Sequence, residues 1–341
     1  MSRSFRVAVV GATGLVGETM IKVLEERRFP VSELRALASN RSLGRSVGFR
    51  SRSVPVEELS SFDFSRADIG LFSAGSSVSA EFAPKAAQAG CIVIDNTAHF
   101  RYEDDIPLVV PEVNRHAIAH YRGRNIIANP NCSTIQMLVA LKPIHDAVGI
   151  ERINVATYQS VSGAGREAVE ELAAQTAALL NGRPIDPPTQ IAKQIAFNCV
   201  PQIDQFQPNG YTKEEMKMAW ETRKILEEPS IRVNATAVRV PVFYGHSEAV
   251  HIETQRKISA ADARGLLERA PGVTVLDERV AGGYPTAVTE AANHDTVYVG
   301  RIREDMSHER GLDLWIVSDN IRKGAATNSV QIAEILVSEY L

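Results

Sequence analysis

The residues of this chain best suited to chemistry lie in one stretch, Asn129-Pro130-Asn131-Cys132-Ser133-Thr134. Asn125 to Ala128, before it, reads as a short buried strand. Ile135 to Leu141, after it, reads as a helix running to the Gly149 region, with a kink expected at Pro143. Cys132 then sits on the first turn of that helix. Unpaired backbone N–H groups and the positive end of the helix dipole favour a thiolate there over a thiol. The thiolate is the nucleophilic form. Position alone leaves a second reading open, in which Cys132 is a small buried filler. Cys91 lies in the apolar run Gly90-Cys91-Ile92-Val93-Ile94-Asp95, and Cys199 precedes Val200-Pro201 with no basic neighbour. Both are expected to be inert core.

The elements that must hold such a site alternate between strand and helix. Phe5 to Val10 is an apolar run, followed directly by Gly11-Ala12-Thr13-Gly14-Leu15-Val16-Gly17 and a helix with Met20, Ile21 and Leu24 among its apolar positions. Glycines there let the chain turn tightly and a pyrophosphate approach the backbone, the phosphates resting on helix N–H groups. The next strand, Glu33 to Ala38, should end near an adenosine ribose. An NAD site usually carries an acid at that point. Here the sequence offers Ser39-Asn40-Arg41-Ser42, which suits the 2′-phosphate of NADP. The other reading of that segment is an exposed polar loop. Further strands are expected at Ala67 to Phe72, with Ser73-Ala74-Gly75-Ser76 as its turn, and around Cys91, with a helix from Val78 to Ala89 between them. This order implies a doubly wound parallel sheet, with loops collecting at strand ends. Arg101, on the loop Asp95 to Arg101, is either an anion ligand or a solvated surface charge.

Beyond Cys132 the pattern changes. Ile153 to Val161 alternates and ends at Ser162-Gly163-Ala164-Gly165, before a helix from Glu167 to Leu180. Residues 182 to 212 hold five prolines and little periodicity, an irregular connection. A helix opens at Glu214-Glu215-Met216-Lys217 and reaches about Glu227. Strand-like runs follow at Ile231 to Val240, Glu248 to Ile258, Thr296 to Arg303 and Leu312 to Val317, and a final helix at Val330 to Tyr340. They suggest a mixed or antiparallel sheet in a second, α+β domain.

With 44% hydrophobic and 23% charged residues and a formal net charge of −4, the 341-residue chain gives no support for a nucleic-acid partner. Its three widely spaced cysteines suggest neither a disulfide framework nor a metal knuckle. No window approaches the roughly 18 apolar residues that a membrane helix needs. No signal-peptide pattern precedes the first strand. A cytoplasmic or other reducing compartment is the expectation.

Five motifs in order, Gly11 to Gly17, Asn129 to Thr134, Ser162 to Gly165, Gly245-His246-Ser247-Glu248 and Asp319 to Ala326, resemble the aspartate-β-semialdehyde dehydrogenase family over nearly the whole chain. The compact middle, with Glu214 to Met218, is similar to its shorter bacterial branch. That resemblance implies a Rossmann-type domain with a second α+β domain and an NADP-dependent, phosphorylating aldehyde dehydrogenase. The reaction is the reversible interconversion of L-aspartate 4-semialdehyde, phosphate and L-4-aspartyl phosphate, serving lysine, threonine, methionine and diaminopimelate synthesis. The resemblance also implies residues 1–131 and 323–341 as an NADP-binding domain, residues 132–322 as a catalytic and dimerisation domain, a homodimer or dimer of dimers, and no metal.

For the site, the resemblance implies Cys132 as nucleophile, His246 as acid–base group and Gln159 as the residue placing the substrate near the cysteine. An imidazole suits proton transfer because it titrates near neutrality. Without the family match, His246 would read as a polar strand-end residue, as His251, His294 and His308 do. Arg239, seven residues before His246, matches the carboxylate clamp. Arg101 and Lys217 match the phosphate positions, with Asn131, and Glu214 would pair with the substrate ammonium. Taken alone, Glu214 and Lys217 read as a solvent-facing helix pair. The cofactor positions are Gly11, Thr13, Gly14, Leu15, Val16, Ser39, Arg41, Ser42, Ser73, Gly75, Ser162, Gly163, Ala164, Gly165 and Asn328, the last at the nicotinamide end. The rivals are N-acetyl-γ-glutamyl-phosphate reductase, whose uncharged acetamido nitrogen needs no acidic partner, and a non-catalytic nucleotide-binding paralogue.

Overall fold

The apolar run Phe5–Val10 forms the first strand, β1, buried along almost its whole length. The structure, a computed structural model, describes residues 3–341. After β1 come α1 (Leu15–Glu26), β2 (Val31–Ala38), β3 (Ser46–Phe49), β4 (Arg52–Glu58) and β5 (Ile69–Phe72). They are followed by α2 (Ser76–Gln88), β6 (Ile92–Asp95), the short α3 (Pro111–Asn114) and β7 (Ile126–Ala128). The sheet order is β3-β4-β2-β1-β5-β6-β7, parallel throughout except for β3, which pairs antiparallel with β4 at the edge. The doubly wound sheet is therefore present, widened by a hairpin that the sequence did not announce. Its turn puts Arg50 and Ser51 at positive φ, 47° and 60°, where the glycine or asparagine that marks such turns is missing.

The carboxyl ends of four strands are in line. Backbone bonds from Gly11 to Leu37, Ser73 to Val10, Asn96 to Phe72 and Asn129 to Asp95, at 2.7–2.9 Å, bring their loops to one edge. Open parallel sheets bind ligands at that edge.

The remaining elements are α4 (Cys132–Val148), β8 (Ile150–Gln159), α5 (Arg166–Leu180), α6 (Lys213–Leu226), β9 (Arg232–Arg239) and β10 (His246–Thr254). Then come α7 (Ala260–Glu268), β11 (Val273–Val275), β12 (Val297–Glu304), β13 (Gly311–Ser318) and α8 (Thr327–Ile335). The chain divides into two units. The first runs to Asn131 and takes back Ala325–Leu341; the second is Cys132–Gly324. In the first, α8 adds Val330, Ile332 and Leu336, at its end, to a core of Val7, Val9, Met20, Leu24, Ile69, Leu71, Ile94 and Ile127. Each such side chain contributes about 1.5–3 kcal/mol of burial.

The second unit is a mixed sheet, β11-β12-β13-β10-β8-β9, with β8/β9 and β11/β12 parallel and the other pairs antiparallel. Helix α4 packs on β8, β10, β12 and β13 and runs on through Pro143 as one element. Helix α6 is fixed at its start by a capping box between Thr212 and Glu215, and Glu215 Oε1 also accepts from Ala237 N on β9 at 2.9 Å. That bond sets the rotation of α6 against the sheet, and with it the direction of Glu214 and Lys217. Helix α7 and strand β11 were not foreseen: α7 is a short helix whose buried positions are Ala263 and Leu267, and β11 is three residues long.

Candidate active site

Register alone assembles the centre of the second unit. Gln159 pairs with Arg239 across β8/β9, and Ser247 with Tyr158 across β10/β8, so Arg239, Gln159 and His246 stand abreast at one end of three adjacent strands. All three are buried. Arg239 Nη1 donates to Ser160 O at 2.7 Å. Burial pulls its pKa down, while Glu214 and Cys132 support the charge.

Helix α6 brings the anchors for charge. Glu214 accepts from Gln159 Nε2 at 3.1 Å and from Lys217 Nζ at 3.0 Å. Lys217 Nζ also donates to Asp204 at 2.8 Å. Burial opposes the ammonium, but Glu214 and Asp204 together raise its pKa. The solvent-facing reading of this pair is therefore excluded, since Glu214 is only 4% exposed. Asp204 escaped the sequence reading because it sits in the irregular connection, at φ 69°.

His246 departs from its expected chemistry. It is fully buried, and its pKa is pushed down to about 3, by burial first and then by the Arg239 charge. The ring therefore does not titrate near neutrality, contrary to the expectation drawn from free imidazole. Ser160 N donates to Nδ1 at 3.1 Å, and Ser160 Oγ lies 3.1 Å from the same atom. A backbone N–H can only donate, so Nδ1 is the acceptor and the neutral ring carries its proton on Nε2. Nε2 has no hydrogen-bond partner among the described residues. Ser160 is itself held by Asn320, whose Oδ1 accepts from Ser160 Oγ at 3.0 Å and from Gly245 N at 2.9 Å.

Cys132 opens α4 and is partly buried. A turn built on Asp319 supports it from behind. Asp319 Oδ1 accepts from Ile321 N and Arg322 N, and Gly324 N donates to Asp319 O at 3.0 Å. A Cβ on Gly324 would lie 2.8 Å from that of Cys132, a distance no side chain tolerates. Ser162 is buried and receives Asn320 Nδ2 at 3.0 Å. Gly163 faces Arg239 and His246. Ala164 ends that turn, and Gly165, at φ 100°, starts α5. Cys91 is buried, and burial raises its thiol pKa to about 12, as befits inert core. Cys199 is exposed, which corrects its assignment to the core. Nor is His251 a strand-end residue: it lies within β10, 3.0 Å from Asp313.

In the first unit a cavity of about 420 Å³ is lined by Gly11, Thr13, Ser39, Asn40, Arg41, Ser42, Glu58 and Ala74, among others. Gly11 has φ 86°, and a Cβ on Gly17 would fall 2.1 Å from the Gly11 carbonyl oxygen, so the turn admits only glycine at both positions. Gly14 caps α1, which starts with Leu15 and Val16. Thr13 Oγ1 meets Ser42 Oγ at 3.2 Å, joining the glycine turn to the end of β2. Ser73 follows β5, and Gly75, at φ 95°, caps α2. Arg101 is 6% exposed and donates to Asn96 O at 3.0 Å, so it is no solvated surface charge. Asn131 is buried as well. Asn328, expected at the cofactor, is fully buried; its amide nitrogen donates to Val109 O at 3.0 Å and Asn129 Oδ1 at 2.7 Å. Asn129 in turn reaches Asn96 Oδ1 at 2.6 Å. This amide ladder braces the segment leading to Cys132.

Among the described residues no cluster with metal-ligand composition is present, and no helix is long and apolar enough to cross a membrane.

The semialdehyde dehydrogenase NAD-binding domain matches residues 6–121, and the semialdehyde dehydrogenase dimerisation domain matches residues 141–323. The chain is 64% identical to the aspartate-semialdehyde dehydrogenase of Legionella pneumophila, over 100% of this chain and 98% of that one. It is 54% identical to that of Aquifex aeolicus, over 99% of each. Its structure resembles that of aspartate semialdehyde dehydrogenase II from Vibrio cholerae complexed with ASA, with a TM-score of 0.98, 61% identity and full coverage of both chains. It also resembles the enzyme from Candida albicans solved with NADP, with a TM-score of 0.74, 26% identity and 98% coverage of both.

Proposed function

The chain belongs to the aspartate-semialdehyde dehydrogenase family, and on that footing we propose how its residues carry out the family reaction. It is an NADP-dependent oxidoreductase that interconverts L-aspartate 4-semialdehyde, phosphate and L-4-aspartyl phosphate through a Cys132 thioester. The observation that carries this reading is the convergence of Arg239, Gln159 and His246 on one sheet end, with Glu214 hydrogen-bonded to Gln159.

The first-unit cavity fits the adenosine half of the cofactor. Its glycine turn leaves backbone open to phosphate, and Arg41 with Ser39 and Ser42 offers donors for a 2′-phosphate. Thr13, Ser73 and Gly75 belong to the same strand-end loops, while Ser162 to Gly165 are assigned to the nicotinamide end on the family pattern. When bound, NADPH supplies the hydride that the acyl carbon receives.

Everything else falls to the chain. The Cys132 thiolate attacks the acyl phosphate carbonyl, forms the C–S bond and expels phosphate. Arg239 holds the substrate carboxylate in a bidentate pair. Glu214 receives the ammonium and Lys217 the phosphoryl oxygens; Arg101 and Asn131 are assigned to the phosphoryl group on the family pattern alone. His246 acts through its Nε2–H, donating to the oxygen of the tetrahedral centre at the attacked carbon. Such a donor stabilises charge in place without needing to titrate. Expelling a thiolate from that centre regenerates Cys132 in its reactive form, so the cycle needs no strong base at His246.

A homodimer formed through the second unit is part of this proposal. The sheet face away from α4 presents Tyr158 and Trp315, with ring centroids 5.6 Å apart, beside a groove of about 310 Å³ whose lining joins Ala249, Tyr284, Pro285 and Leu314 with Arg301 and Arg303. An aromatic sheet face with arginines beside it suits a second copy, since aromatic residues and arginine are enriched at protein interfaces. Supply of precursor for lysine, threonine, methionine and diaminopimelate, in the cytoplasm, is the corresponding physiological place. The test is phosphate-dependent NADPH formation from L-aspartate 4-semialdehyde, beside N-acetylglutamate semialdehyde, with Cys132→Ala as control. Turnover of the first substrate alone, lost in the control, supports the reading; turnover of the second transfers the chain to the reductase.

A further inference from the structure

Two residues beyond His246 on β10, a carboxylate sits where water does not reach. Glu248 is fully buried on the same face of the strand as His246, and β8 and β13 place Thr157 and Ile316 opposite it in register. The Gln136 amide of α4, one helical turn after Cys132, lies against the carboxyl. Gln136 Nε2 is turned toward the His246 carbonyl oxygen at 3.4 Å, which fixes the orientation of the amide. Its Oε1 and both Glu248 oxygens are buried without a hydrogen bond.

With Glu248 ionised, these three atoms are all acceptors, and buried acceptors left without a donor are destabilising. A single proton on the carboxyl supplies the missing donor. We propose that Glu248 is held as a neutral carboxylic acid whose O–H donates to Gln136 Oε1, a buried link that ties the Cys132 end of α4 to the His246 end of β10 and positions nucleophile and histidine. The surroundings agree. Burial, and then the charge of Glu214 on α6, favour the neutral acid, and Gln136 alone works against them. The other ionisable groups of the site are neutral His246 on β10, Arg239 on β9, Cys132 on α4, and Lys217 on α6 with Asp204. What the link serves rests on the roles given above to Cys132 and His246; its protonation does not.

The experiment compares the full-length wild-type protein with Glu248→Gln, Glu248→Leu, Gln136→Leu and the Gln136→Leu/Glu248→Leu double variant. Infrared difference spectra of wild type against Glu248→Gln are expected to show a protonated-carboxyl band at neutral pH. Glu248→Gln, which keeps a neutral donor, is expected to retain kcat within a few-fold. Either leucine variant should lower kcat by about ten- to a hundredfold, with KM little changed and slower alkylation of Cys132 by iodoacetamide. The double variant should be no worse than the poorer single one, because the acceptor left unpaired has gone. A carboxylate band in place of the protonated one overturns the proposal, as does full activity in folded Glu248→Leu or additive losses in the double variant. Should Glu248→Leu not fold, the infrared band and Glu248→Gln decide. Wild type lacking turnover altogether would count against the proposed reaction, while the infrared result would still report on Glu248.

Discussion

Gly163→Ala separates activity from stability more sharply than most single changes to this site. Gly163 lies in the turn after β8 with ordinary negative-side backbone angles, so alanine meets no conformational strain there. Its new Cβ would lie 3.0 Å from Arg239 Nη1 and 3.4 Å from His246 Cε1 and Nε2. The last two distances need almost no adjustment. The first needs the guanidinium to give by a few tenths of an ångström, against its 2.7 Å bond to Ser160 O. Reduced freedom of the unfolded chain offsets that strain, at about 0.4–1 kcal/mol for Gly→Ala. Net stability should therefore stay within about 0.5 kcal/mol of wild type. Activity should not. The methyl covers the Nε2–H and tilts the carboxylate clamp, and misplacement of a positioning group commonly costs on the order of a hundredfold. Thermal unfolding and steady-state kinetics on one preparation test both halves. An unchanged kcat/KM with an unchanged melting temperature would refute the placement of the reacting atoms beside His246. A collapse of stability would refute the packing around Gly163.

The buried imidazole makes a second prediction. His246 takes up a proton in the unfolded chain near pH 6.5 but in the folded chain only near 3, so the unfolded state binds more protons between those values. Stability from this residue is therefore lost as pH falls, by about 2 kcal/mol between pH 7 and pH 5. His246→Gln should unfold less readily on mild acidification than wild type, relative to each protein's stability at pH 7, and nitrogen NMR should find Nδ1 unprotonated and the ring untitrated above pH 5. Arg41→Ala should raise KM for NADP roughly tenfold while leaving KM for NAD nearly unchanged, because only the 2′-phosphate is lost as a partner. Equal effects on both would remove Arg41 from the cofactor site. Gly324→Ala should be the harsher of the glycine substitutions, slowing alkylation of Cys132 by iodoacetamide at least tenfold, since a 2.8 Å Cβ contact forces the nucleophile's helix turn to move. A wild-type alkylation rate would show that the turn yields instead.

What the sequence disclosed and what it hid divide along physical lines. Gly11 to Gly17 was legible because only glycine fits the turn, and the structure shows why at Gly17. The helix after Cys132 and the strands around it were legible from apolar runs. Glu214 and Lys217, by contrast, look from spacing like any exposed pair; the bond between Glu215 and Ala237 helps hold α6 turned inward, with Glu214 buried and Lys217 largely so. Asp204, Ser160 and Asn320 carry no local signal, since they act across 13, 86 and 160 residues of chain on Lys217, on His246 and on Ser160, respectively. The same holds for the chemistry of His246. Its ordinary pKa follows from composition, but its depressed one follows from burial beside Arg239. Cys199 misled because a flanking valine and proline suggest a core that the fold does not place there.

The account stands most directly on the covalent step at Cys132. Enzyme mixed with L-4-aspartyl phosphate in the absence of NADPH, quenched in acid and analysed by intact and peptide mass spectrometry, should carry one aspartyl group on Cys132, released again by phosphate. Phosphate liberated with no adduct on Cys132, or an adduct on any other residue, would contradict it.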